Sequence, residues 1–120
     1  MPTRFISLLP AVMLALLGVP AHAYEDLPPA EAEKKLRICL VTGSSAAPDT
    51  GLREAVLSVR AYCAPQIKRV RAHRVEAATA GLEGKAAEAA EDRAIRALND
   101  EIALAISNFT GLTLNHAEHR

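Results

Sequence analysis

The sequence predicts a small all-α protein: a three-helix domain made of a helical hairpin and an N-terminal helix pinned to it by a disulfide. Three observations carry this. Leu52, Val56, Val59, Cys63, Ile67 and Val70 recur at steps of three and four, the spacing that gathers side chains on one face of a helix. No strand-length alternation of apolar and polar residues occurs, and no repeat stands out at solenoid periods. The two cysteines, Cys39 and Cys63, both lie on apolar helical stripes, so a single bridge would tie two helices face to face.

Ahead of these elements, residues 1–23 read as a secretory signal. Arg4 supplies the positive end, Phe5 to Val19 the apolar run, and Pro20-Ala21-His22-Ala23 a cleavage site with alanine at both small-residue positions. The mature chain is then expected to start at Tyr24 and to be periplasmic or secreted. The apolar run is broken by Pro10 and Gly18, is short for a membrane span, and is not followed by a second, so no span is expected in the mature chain. Losing Arg4 from a balance of 14 basic and 14 acidic residues leaves a net charge of −1. That balance implies neither nucleic acid nor an anionic membrane as a partner.

The remaining length suits one helical domain, 24–111, followed by a flexible tail, 112–120. Trp is absent, the mature aromatics are Tyr24, Tyr62 and Phe109, and alanine is abundant. Such a chain packs helices closely but buries little apolar area per residue, so a covalent staple contributes a large share of its stability.

The first helix is predicted over Pro29 to Val41. Proline fits the first turn, where the backbone N–H lacks a partner in any case, and Glu31 and Glu33 suit the positive N-terminal end of the dipole. Ala32, Leu36 and Cys39 form its apolar stripe. Thr42-Gly43-Ser44-Ser45 is expected to end it, with Gly43 taking the left-handed conformation. After a loop containing Pro48, Asp49 or Thr50 offers an N-cap oxygen for the second helix, Leu52 to Val75. Pro65 is a defect in that helix. Either the helix kinks there, or it stops near Ala64 and restarts with Pro65 in its first turn. The continuing stripe at Ile67 and Val70 favours the kink.

Gly81 and Gly84 bracket the next turn. From Lys85 the chain is rich in Ala and Glu, and Ile95, Leu98, Ile102, Ile106 and Phe109 supply the apolar stripe of a third helix running to about Asn108, with Gly111 as its stop. Asp92 with Arg96, and Arg96 with Asp100, have the four-residue spacing of paired charges.

In an oxidising compartment the two cysteines are expected to form a structural bridge between Cys39 and Cys63, because no Cys-x-x-Cys is present to favour exchange. The other candidates are weaker. Arg53, Arg60 and Arg71 fall within about 20° of one another on a helical projection, with Arg74 close by and Lys68 to one side. This basic ridge reads either as a docking face for an acidic partner or as a solvated flank answered by Glu88, Glu91 and Asp92. His116 and His119 could form a metal clip, with His73 as the only other mature histidine, but the ligand set is incomplete, so no metal or other cofactor is expected. Ser44, Ser45, Ser58 and Ser107 have no evident base, and no Gly-x-Ser-x-Gly occurs, so no catalytic residue is assigned and the protein is read as not an enzyme. Asn108-Phe109-Thr110 matches the glycosylation pattern in form, and Phe109 reads as core.

The export signal, small size, helices and single bridge resemble, in design and not in any motif, the small periplasmic acid-stress chaperones; the two cysteines here sit closer together. Immunity proteins of secretion systems and envelope stress sensors share the same general design, and all of these work by binding. The expected function is therefore protein–protein contact in the envelope, of stress or immunity type, with an unknown protein partner and possible homodimer formation. The alternative is a metal or small-ligand carrier using the C-terminal histidines.

Overall fold

A computed structural model describes residues 27–113, which form four helices and no strand. They are α1 (Pro29–Ser45), α2 (Leu52–Tyr62), α3 (Ala64–Thr79) and α4 (Gly84–Thr110). The all-α class is as the sequence predicts, and the bridge joins Cys39 to Cys63. The helix count is four because the predicted second helix is two helices. The predicted signal segment, and the tail from Leu114 onward, lie outside the described residues.

α1 begins with Pro29 in its first turn and carries Glu31 there, as its dipole favours. It runs past the predicted stop to Ser45. Gly43 does not turn left-handed; it stays helical and buried, where α1 crosses the end of α2. A Cβ at Gly43 would lie 3.1 Å from Tyr62 Cδ1 and 3.2 Å from Val59 Cγ1, so the glycine permits a close approach of two helices. Thr42 and Ser45 donate their hydroxyls to the carbonyls of Ile38 and Val41, at 3.0 and 2.9 Å, within the last turns.

α2 starts after Gly51 with no side-chain cap, so neither Asp49 nor Thr50 plays the expected role; the Gly51 carbonyl accepts from the Ala55 N–H at 3.1 Å. At Pro65 the helix does not simply kink. α2 ends at Tyr62, Cys63 adopts φ −100° and ψ 15°, and α3 resumes at Ala64 with proline in its first turn. Proline cannot donate to the carbonyl four residues back and crowds it, and the shift of Cys63 out of helical geometry relieves the clash. The Cys63 N–H still bonds the Val59 carbonyl at 2.8 Å, and the Ile67 N–H bonds the Cys63 carbonyl at 2.9 Å. The two helices thus stay in phase, and Val59, Cys63, Ile67 and Val70 are all buried.

Gly81 and Gly84, with φ of +74° and +58°, make the turn into α4 as expected. α4 stops at Gly111, left-handed at φ +74°, whose N–H bonds the Ser107 carbonyl at 2.8 Å. The core gathers Leu36, Cys39 and Leu40 of α1, the stripe of α2 and α3, and Leu98, Ile102 and Ile106 of α4. Phe109, expected in this core, is exposed. Past Gly111 the chain folds back, Ser107 Oγ donates to the Leu112 carbonyl at 2.6 Å, and Leu112 fills the core end instead. The expected Asp92–Arg96–Asp100 ion pairs are absent among the described residues; Arg96 Nε reaches only the Asp92 backbone carbonyl, at 3.4 Å.

Contacts between Gly43 and Val59, Cys39 and Cys63, and Leu27 and His73 set α1 antiparallel to α2 and α3. α4 returns along α3 and so runs parallel to α1. No helix of the described residues is long and apolar enough to cross a membrane.

Candidate binding surface

The bridge joins α1 to the α2–α3 junction within the core. Its Cα atoms are 5.9 Å apart, Cys63 is fully buried, and Gly43 comes within reach of the Cys63 sulfur. α1 is therefore covalently fixed at the point where it also crosses most closely.

The basic ridge does not form one continuous face. Arg53 and Lys68 are exposed, and Arg71 is half-buried, with its Nε lacking a partner among the described residues. Arg60 donates from Nη1 to Asn99 Oδ1 at 3.1 Å. Arg74 turns inward between α1 and α4. Its Nε and Nη2 donate to the two oxygens of Glu33, at 2.9 and 3.1 Å, and its Nη1 donates to Glu101. The hydrogen bonds to Glu33, then the one to Glu101 and the charges of both, hold the guanidinium pKa above its already high ordinary value, against the opposing effect of burial. The acids that answer the ridge are thus Glu33 and Glu101, not Glu88, Glu91 or Asp92.

This fork ties three helices. A double-mutant cycle of Arg74→Met and Glu33→Gln is expected to give a coupling of about 1 kcal/mol, since the pair is bidentate but partly exposed. Measured by urea denaturation, the coupling should shrink in molar salt; one that is zero at low salt would mean the fork contributes nothing to docking α1.

His73 Nε2 donates to the Leu27 carbonyl at 2.7 Å and so fastens the lead-in of α1 to α3. His116 and His119 lie outside the described residues, and no group of three or more metal-binding side chains occurs among the described ones. Ser45 and Ser107 spend their hydroxyls on backbone carbonyls, and Ser44 is buried without a partner among the described residues. Thr110 of the glycosylation pattern donates to the Ile106 carbonyl at 2.7 Å.

The surface feature that stands out surrounds α1. Seven large apolar side chains are exposed among the described residues, and four of them, Ile38 (58%), Val41 (44%), Tyr62 (61%) and Phe109 (47%), border this helix. Two grooves flank it. One, of about 220 Å³, runs between α1 and α4 over Leu36, Leu40 and Ile102, with Phe109 on its wall and the Glu33–Arg74–Glu101 cluster lining it. The other, of about 340 Å³, runs between α1 and the α2–α3 junction over the bridge. Arg37 lines both the first groove and the apolar shelf of Ile38, Val41 and Thr42 that adjoins the second.

Sequence reasoning did not single out Ile38, Val41, Tyr62 or Lys35. A signal was there to use: at 100° per residue Ile38 and Val41 point about 160° away from Leu36 and Cys39 respectively, so they are apolar residues on the face opposite the core. Comparison with known protein families, curated proteins and solved structures finds no match.

Proposed function

We propose that this is an exported, non-catalytic helical protein, periplasmic or secreted, that acts by binding another protein through the face of α1 beside the bridge. The observation that carries the reading is the convergence of Ile38, Val41 and Tyr62 along one side of a helix fixed by a disulfide. Exposed apolar side chains scattered singly are ordinary, whereas a group of them along one element marks an interaction surface. Holding that element rigid lowers the entropy lost on binding. Arg53 and Lys68 are exposed on α2 and α3 and make no ion pair among the described residues, so they stay available to an acidic partner. A second copy of the chain is one candidate partner.

Site-specific photo-crosslinking tests this. Benzoylphenylalanine at Val41 or Tyr62 is expected to give discrete protein adducts, and the same probe at Leu57 or Leu82, exposed elsewhere, none. An adduct of twice the chain mass would identify self-association. Equal labelling at all four positions, or none at any, would overturn the reading.

A further inference from the structure

We infer that the groove over the bridge docks a short acidic amphipathic helix of a partner protein. The inference rests on the binding role proposed above and names what fills the site. The groove is lined by Lys35, Ile38, Cys39 and Thr42 of α1, facing Tyr62 and Gln66 across the α2–α3 junction. Ile38 and Tyr62 stand exposed on opposite walls, and Val41 adjoins on the shelf beside Arg37. A channel between two helices with apolar rims suits an amphipathic helix presenting anchors at three- and four-residue steps.

Charge selects the sign of that helix. Lys35 and Arg37 are the charged residues lining the groove and its shelf, no carboxylate lines either, and neither cation has an ion pair among the described residues. The groove on the other side of α1 has no such excess of positive charge, since Glu33 and Glu101 there are matched by Arg37 and Arg74. An acidic helix is thus drawn to one side of α1 and gains no matching attraction at the other. Lys35 to Thr42 spans about 10 Å at 1.5 Å per residue, so about two turns of the occupant make contact. The concave shape argues against a flat anionic membrane.

The test uses the oxidised protein and two synthetic helical peptides of about four turns, each with leucines at three- and four-residue steps and flanked by glutamates in one and lysines in the other. Fluorescence anisotropy should show the glutamate peptide binding roughly tenfold more tightly than the lysine peptide, with an affinity that falls as salt rises. Lys35→Glu combined with Arg37→Glu should reverse the preference, Tyr62→Ser should weaken both peptides, and Lys85→Glu with Arg93→Glu on the exposed part of α4 should change nothing. These are surface positions, and an unchanged melting temperature verifies that each variant folds. Equal affinity for the two peptides, a preference that survives the reversal, or binding to phosphatidylglycerol vesicles without binding to the acidic peptide would overturn the inference. If the Val41 adduct maps to a partner segment that is not acidic, the binding role stands and this inference fails. Absence of any adduct removes both.

Discussion

Reduction of the Cys39–Cys63 bridge is expected to lower the melting temperature by at least about 15 °C. The bridged residues are 24 apart in sequence. On the chain-entropy account, closing a loop of that size stabilises the fold by roughly 3.5 kcal/mol, and each kcal/mol moves the midpoint of a domain this small by about 4 to 8 °C. The core offers little to compensate. Its members in α1 include Ala32, Leu36 and Leu40, no aromatic residue is buried among the described residues, and Cys63 has no solvent exposure. Thiol counting after reduction in denaturant and refolding would establish that the bridge is open, and circular dichroism would give the two midpoints. The double variant Cys39→Ala with Cys63→Ala should lose at least as much, since it also removes two buried sulfurs. Equal midpoints for the oxidised and reduced protein would mean that α1 is held by apolar packing and the Glu33–Arg74 fork alone.

The second large effect is expected at Gly43. Gly43→Leu should destabilise the protein by about 3 kcal/mol, at the upper end of overpacking costs. The new side chain would have to enter a crossing where even a Cβ meets Tyr62 and Val59 at 3.1 and 3.2 Å. Val59 is buried and cannot give way, whereas the exposed Tyr62 ring can move by a few tenths of an ångström. Gly43→Ala should therefore stay within about 1 kcal/mol of the natural protein, because alanine gains helix propensity while causing a small clash. Chemical denaturation of both variants with the bridge intact reads the difference. If leucine were tolerated as well as alanine, the crossing would be looser than the geometry gives.

Gly43 also shows where a sequence is hard to read. A glycine after an apolar stripe and before a serine pair carries the signature of a helix stop, and Gly111, with a similar setting, is one. What distinguishes Gly43 is a second helix passing over it, a contact with residues far along the chain. Phe109 and Leu112 make the same point. Periodicity put Phe109 on the core stripe, but Leu112, folded back beyond the cap, occupies the core end, and periodicity stops at the cap. The bridge and the stripe through Val59, Cys63 and Val70 were legible because spacing alone decides them. The break at Pro65 was legible as a defect and not as a boundary, since proline disturbs a helix at either outcome and only the backbone angles of Cys63 separate them. The candidate surface was the least visible part. Arg74 looked like one cation among five until folding brought Glu33 and Glu101, from two other helices, to its guanidinium.

The antiparallel pairing of α1 with α2 and α3 has a consequence for the time course of folding. Gly43 meets Val59, Cys39 meets Cys63, and Leu27 meets His73, so each contact encloses the one before it and the hairpin can close like a zip from the 46–51 loop outward. Every step then adds only a short further loop to one already closed, and loop-closure entropy grows slowly with length. Contacts of this nested, sequence-local kind belong to the fast end of the folding-rate spectrum. In a chain emerging N-terminus first, both cysteines appear before α4, so the sulfurs can be brought together while the last helix is still missing. α4 would then dock onto a platform whose geometry is already set.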